Sequence, residues 1–81
     1  MKMPVIKKLV ETASFEELEN AELAILEEQQ PEIDVEGDDE GEQLTHVMAA
    51  TWIKKEMEKE GISFPKALRA YTQKVRVSIG G

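Results

Sequence analysis

Apolar residues recur at intervals of three and four along most of this chain, which is the spacing of helices with one buried face. Ser14 and Glu17 form a capping-box pattern, in which the hydroxyl and the carboxylate each accept a backbone N–H at the start of a helix. The pattern predicts a helix from about 15 to 29, because Pro31 disfavours helical dihedrals in the residue before it. A shorter helix is predicted over residues 4–12.

The second half of the chain predicts two further helices, over residues 42–60 and 65–78. Gly61 is placed to take the left-handed conformation that ends the first of them. Between the second and third helices lies an acidic loop with two glycines, residues 31–41. The sequence therefore predicts an all-α fold, a small four-helix domain of one short and three longer helices that spans residues 1–81.

The third predicted helix carries two apolar stripes. The stripe that persists to the end of the helix is the expected core face; its members are Ala49, Ala50, Ile53 and Met57. Leu44, Met48 and Trp52 are spaced by four and form a second stripe on the N-terminal half. One helix of a small bundle rarely needs both, so either the acidic loop or a second subunit covers this stripe. Trp and Met are favoured at subunit contacts, which makes these residues the candidate interface.

Charge is divided unevenly along the chain. Fourteen acidic residues and no lysine or arginine lie between Leu9 and Ile53, whereas seven cations follow from Lys54 onward. This division favours interaction within the chain or with a partner. The net charge of -7 opposes nucleic-acid binding over most of the surface, so a nucleic-acid partner is not expected. The fourth helix has a basic face, which comprises Lys66, Arg69 and Arg76. A solvated polar face is the better interpretation of it, and a docking surface for acidic groups is the alternative.

Length and composition narrow the class of protein. A chain of 81 residues has room for one small core, and self-association is a common remedy for so small a scaffold. The absence of cysteine excludes disulfides, thiolate zinc sites and thiol catalysis. No apolar run approaches the roughly 20 residues of a membrane span. The apolar run near the N-terminus is too short for a signal peptide. A cytoplasmic protein that does not contact membranes is expected.

The acidic loop offers hard oxygen ligands of the kind that calcium prefers. The candidates are Asp34, Glu36, Asp38, Asp39, Glu40 and Glu42. An EF-hand register that starts at Glu36 places Val47 at the twelfth position, where a bidentate glutamate is required, so the loop is not an EF-hand. Loose divalent-cation binding stays an alternative. Mutual repulsion of the carboxylates predicts instead an extended, mobile loop.

Residues that would carry catalysis are scarce. His46 is the only histidine, and no serine or threonine stands beside it in a nucleophile context, so a structural histidine is the better interpretation. No Gly-rich phosphate loop or zinc-protease motif occurs. Glu22 lies within the apolar arc of the second helix and is interpreted as a residue at a seam between two contact faces, with its carboxylate in water. We expect no catalytic residues, no cofactor and no enzymatic activity.

Two stretches of the chain resemble a small, uncharacterised bacterial family of short helical proteins. One is the opening Met-Lys-Met-Pro-Val-Ile-Lys, residues 1–7. The other comprises Lys-Glu-Gly at 59–61, Ala-Leu at 67–68, Tyr71, Lys-Val-Arg at 74–76 and Ser-Ile at 78–79. The family has no assigned activity. Its genes lie near those of thiol-dependent peroxidases and thioredoxin-like proteins, so the resemblance implies an accessory role in the thiol-redox stress response.

These observations favour a non-enzymatic cytoplasmic protein that acts through protein–protein contacts. Its expected partner is a protein, in the first instance a second copy of itself, and the homodimer contact is assigned to Leu44, Met48 and Trp52. Divalent-cation binding by the acidic loop and the redox accessory role are the alternatives.

Overall fold

The computed structural model of the chain describes the backbone of residues 2–80 and the side chains of residues 2–75. The backbone forms four helices and, within the described residues, no strand, which confirms the all-α class. The helices are α1 (Met3–Thr12), α2 (Phe15–Leu26), α3 (Glu40–Glu60) and α4 (Phe64–Gly80). No helix in this part of the chain has the length and apolar character needed to cross a membrane.

The chain divides into two compact units, Met1–Thr51 and Trp52–Gly81, and the boundary falls within α3. The core of the first unit draws on α1, α2, the start of α3 and one residue of the loop between α2 and α3. Its buried apolar residues are Val5, Ile6, Leu9, Val10, Ala13, Leu18, Ala21, Ile25, Val35, Val47, Ala49 and Ala50. Burial of each larger side chain among them stabilises the fold by about 1.5–3 kcal/mol before the entropy of ordering is subtracted.

The structure confirms the predicted start of α2 but not its predicted end. The Ser14 hydroxyl accepts the Glu17 N–H at 3.1 Å, and the Ser14 N–H donates to the Glu17 carboxylate at 2.9 Å. The helix ends at Leu26, three residues before the predicted end, because Glu28 adopts a left-handed φ of 59°. The Gln29 N–H then donates back to the Ala24 carbonyl at 2.7 Å, as in a Schellman ending.

The acidic loop packs against the first turns of α3 instead of extending freely into solvent. Val35 is only 5% exposed. Gly37 lies so close to Gln43 that an added Cβ would be 2.8 Å from the Gln43 backbone nitrogen. The Asp39 carboxylate accepts the Glu42 N–H at 2.8 Å and so caps α3, which begins at Glu40. The last two residues of the predicted loop 31–41 are therefore helical.

The second unit joins the C-terminal part of α3 to α4. Gly61 has a φ of 64° and ends α3 in the predicted left-handed conformation. The Ser63 carbonyl accepts the Ala67 N–H at 3.0 Å, so α4 begins at Phe64, one residue before the prediction. Ile53 and Ala67 are fully buried. The persistent stripe of α3 is thus its core face, with Ala49, Ala50 and Ile53 buried and Met57 half-buried.

Candidate functional site

The second stripe of α3 is neither fully covered nor fully exposed. Leu44 and Met48 lie in the first unit; Leu44 is half-buried and Met48 is 49% exposed. Trp52 opens the second unit and is half-buried. Of the two loop residues available to cover the stripe, Val35 is buried and Ile33 is half-buried, yet about half of the Met48 side chain stays in solvent. The assignment of these residues to an interface remains a prediction.

Trp52 already has partners inside its own unit. Its ring centroid lies 5.6 Å from that of Tyr71, with the planes inclined at 52°. The Lys74 ammonium lies 6.0 Å from the Trp52 ring centroid, within the range of a cation–π contact. A tilted aromatic pair of this kind stabilises a contact by about 0.5–1.5 kcal/mol beyond its buried area. The indole therefore holds α3 and α4 together, and only its remaining surface is free for a partner.

Helix α2 presents an exposed apolar surface that the sequence pattern did not separate from the core. Leu23 is 50% exposed and Leu26 is 60% exposed. Helical spacing places three carboxylates beside them, one turn before or after each leucine. We call this surface the α2 patch; it comprises Glu19, Glu22, Leu23, Leu26 and Glu27. Glu22 is half-buried, as expected of a residue between the core face and a second face.

Hydrogen bonds to the buried histidine connect three segments that lie far apart in the sequence. His46 is 0% exposed, and both of its ring nitrogens are occupied. Nε2 accepts the backbone N–H of Lys2 at 2.9 Å, and Nδ1 lies 2.7 Å from the carbonyl oxygen of Glu36. Because a carbonyl oxygen only accepts, Nδ1 must carry the proton. This arrangement is the structural role that the sequence favoured, and it leaves no ring nitrogen for a substrate.

The carboxylates of the acidic loop serve local structure. The carboxylate of Asp39 caps α3, and that of Glu42 accepts the Asp38 N–H at 3.1 Å. The carboxylate of Asp38 lies 3.9 Å from the ammonium of Lys2, in an exposed pair of the kind that contributes little stability. Across the described part of the chain, no three histidine or acidic side chains converge as a metal ion would require. Sequence reasoning missed the Asp39 cap, although Asp followed three residues later by Glu is its signature.

A hollow of about 200 Å³ lies between α2 and residues 29–33. Small side chains of α2 make room for it, and amide and carboxylate side chains line it, among them Asn20, Gln29 and Glu32. Glu17, also in the lining, has its carboxylate engaged in the capping box. Its lining residues carry no hydroxyl, thiol or imidazole group; the titratable groups among them are the carboxylates of Glu17 and Glu32.

The predicted basic face of α4 is present in part. Lys66 and Arg69 are exposed. Arg76 belongs to α4 by its backbone, but its side chain lies outside the described residues. The structure thus places two of the three predicted cations on the surface.

The model of a family of unknown function, DUF6952, matches residues 1–80, which is nearly the whole chain. No curated protein and no solved structure was found to match.

Proposed function

Since the chain belongs to this family of unknown function, we propose a role from its surface: a non-enzymatic cytoplasmic protein that self-associates as a homodimer through α3. The observation that carries the proposal is the exposure of Met48, which is 49% exposed at the centre of the stripe that it forms with Leu44 and Trp52. An unbranched thioether side chain adapts its shape to a partner surface, so methionine suits such a contact.

A two-fold homodimer is the arrangement that we propose for this stripe. In a contact of that symmetry the same surface of both copies meets, so a single helix face is sufficient to form it. Met48 of one copy then lies near the symmetry axis and packs against Met48 of the other. Each Å² of apolar surface removed from water contributes about 25 cal/mol, which favours association of two small cores.

The charge division supports a second copy as the partner. The segment from Leu9 to Ile53 contains only acidic charges, and the segment from Lys54 onward carries an excess of cations. A second copy therefore offers both a basic and an acidic surface, and the acidic segment of each copy can face the basic segment of the other. Complementary charge of this kind orients the association more than it strengthens it.

A non-enzymatic role is supported by what the candidate groups already do. Both nitrogens of His46 are engaged with backbone groups. The described hydroxyls of Thr45 and Thr51 donate to carbonyls of their own helix, at 2.8 and 2.9 Å. Each of these groups is thus engaged with the backbone, whereas nucleophilic catalysis needs a nucleophile hydrogen-bonded to a base.

Sedimentation velocity over a range of protein concentrations tests the proposal. We expect the wild-type protein to shift from monomer to dimer as its concentration rises. Met48→Gln keeps the length of the side chain and replaces its thioether by an amide, so we expect a dissociation constant about tenfold higher, equivalent to about 1.4 kcal/mol.

Met3→Gln is the matched control, because Met3 is a methionine of similar exposure that lies in α1 and outside the stripe. Its dissociation constant should equal that of the wild type. A wild-type protein that stays monomeric at every concentration would contradict the proposal, and so would equal effects of the two substitutions.

A further inference from the structure

The α2 patch is a second exposed apolar surface, separate from the stripe on α3. We infer that it docks a basic amphipathic helix of a partner protein, with Leu23 and Leu26 as the apolar contact and Glu19, Glu22 and Glu27 as the charged rim. This inference goes beyond self-association and does not depend on it.

The two leucines are unusual for their helix. Leu18 and Ile25 point from α2 toward the core and are at most 5% exposed. Leu23 and Leu26 are 50% and 60% exposed, and a spacing of three places them side by side on one ridge. Two adjacent large apolar side chains in solvent form the kind of patch that marks a contact site when polar residues surround it.

The charge around the leucines selects the partner. The rim carboxylates have no counterion nearby in sequence, because no lysine or arginine occurs between Leu9 and Ile53. The resulting negative potential repels nucleic acid, acidic proteins and anionic membranes, and attracts a basic surface. Glu22 is half-buried, so it lies at the seam between the core face and the exposed leucines, next to a cation that docks there.

The geometry favours a helix as the bound element. A ridge of two leucines on a straight helix fits the groove of a second helix, in the packing that amphipathic helices use against one another. A partner with apolar residues at intervals of three and four, flanked by Lys or Arg, covers the leucines and pairs with the rim at once. Two-fold pairing of α2 with α2 of a second copy is disfavoured at this site, because it would oppose like-charged rims.

A designed peptide provides the test. The probe is a blocked amphipathic helix of leucine and lysine, labelled for fluorescence anisotropy, and its leucine–glutamate counterpart is the charge control. We expect the lysine peptide to bind the intact chain, with an affinity that falls as the salt concentration rises, because the charged rim is exposed and the salt screens it. The glutamate peptide should not bind.

Two variants distinguish binding at the α2 patch from non-specific binding to exposed apolar side chains. L23Q/L26Q should weaken binding at least tenfold, and far-UV circular dichroism should show an unchanged fold because both side chains are exposed. M3Q removes an exposed apolar side chain that belongs to neither proposed surface and should bind the peptide as the wild type does.

The rim is tested by E19Q/E22Q/E27Q, which should lower the affinity and flatten its salt dependence. Absence of binding by the wild type, equal affinity of L23Q/L26Q, or binding of the glutamate peptide would each overturn the inference. Loss of dimerisation in L23Q/L26Q would also overturn it, because the patch would then belong to the contact between copies. Loss of dimerisation in M48Q with peptide binding retained supports both proposals separately.

Discussion

The backbone N–H of Lys2 donates a hydrogen bond of 2.9 Å to Nε2 of His46, forty-four residues further along the chain. The opposite ring nitrogen donates to the carbonyl of Glu36 at 2.7 Å. One imidazole, itself fully buried, thus joins the start of α1 and the acidic loop to α3. A buried polar group of this kind stabilises the fold only while both of its hydrogen bonds are made.

Replacement of this histidine by phenylalanine should destabilise the protein strongly. His46→Phe keeps an aromatic ring but leaves the Lys2 N–H and the Glu36 carbonyl without partners, at a cost of about 1–3 kcal/mol for each unsatisfied group. Urea unfolding followed by circular dichroism measures the loss. His46→Gln is the control, because its amide can both donate and accept, and it should lose less. If the phenylalanine variant is as stable as the wild type, the bridge contributes nothing to folding.

The left-handed residue at the end of α2 offers a stabilising substitution. Glu28 has a φ of 59°, which is costly for a residue with a Cβ and free for glycine. Relief of about 1–2 kcal/mol of left-handed strain is partly offset by the entropy that glycine loses on folding, so Glu28→Gly should raise the free energy of unfolding by up to about 1 kcal/mol, measured by urea denaturation.

The effect of losing the Glu28 charge on stability must be distinguished from the effect of the backbone conformation. Glu28→Ala removes the same carboxylate and keeps the left-handed strain, so its stability should stay close to that of the wild type. Equal stabilisation by glycine and alanine would show that the charge, and not the dihedral angle, is responsible.

Gly37 is required by a close approach and not by its backbone dihedral angles. An added Cβ would lie 2.7 Å from Gln43 Cγ and 2.8 Å from the Gln43 backbone nitrogen, and the backbone atom cannot move without displacing α3. Gly37→Ala should destabilise the protein by about 1–3 kcal/mol, as overpacking does.

Gly41→Ala is the matched control for Gly37→Ala. Its nearest neighbour would be a side-chain oxygen of Asp39 at 3.3 Å, and alanine is the better helix former within α3. Its effect on thermal unfolding should be small. A Gly37→Ala variant that melts with the wild type would contradict the packing of the loop against α3.

The predicted interface shows which features of a site the spacing of apolar residues can predict. The spacing of Leu44, Met48 and Trp52 predicted that they share one face of a helix. The structure confirms the helix. Periodicity does not show that Trp52 packs against Tyr71 in its own unit, because Tyr71 lies nineteen residues away and in another helix. It also did not divide the broad apolar face of α2 into buried Leu18 and exposed Leu23.

By itself, the sequence determined the elements and the charge division of this protein. The capping box of Ser14 and Glu17 and the glycine cap at residue 61 act through atoms a few residues apart, so local chemistry is enough to predict them. Only the tertiary structure decided that the acidic loop folds onto α3 through Gly37 and His46, and that the α2 patch stays in water. Those outcomes depend on which surfaces meet across long separations in the chain, and on whether buried polar groups find partners there, which the helical period of a sequence does not encode.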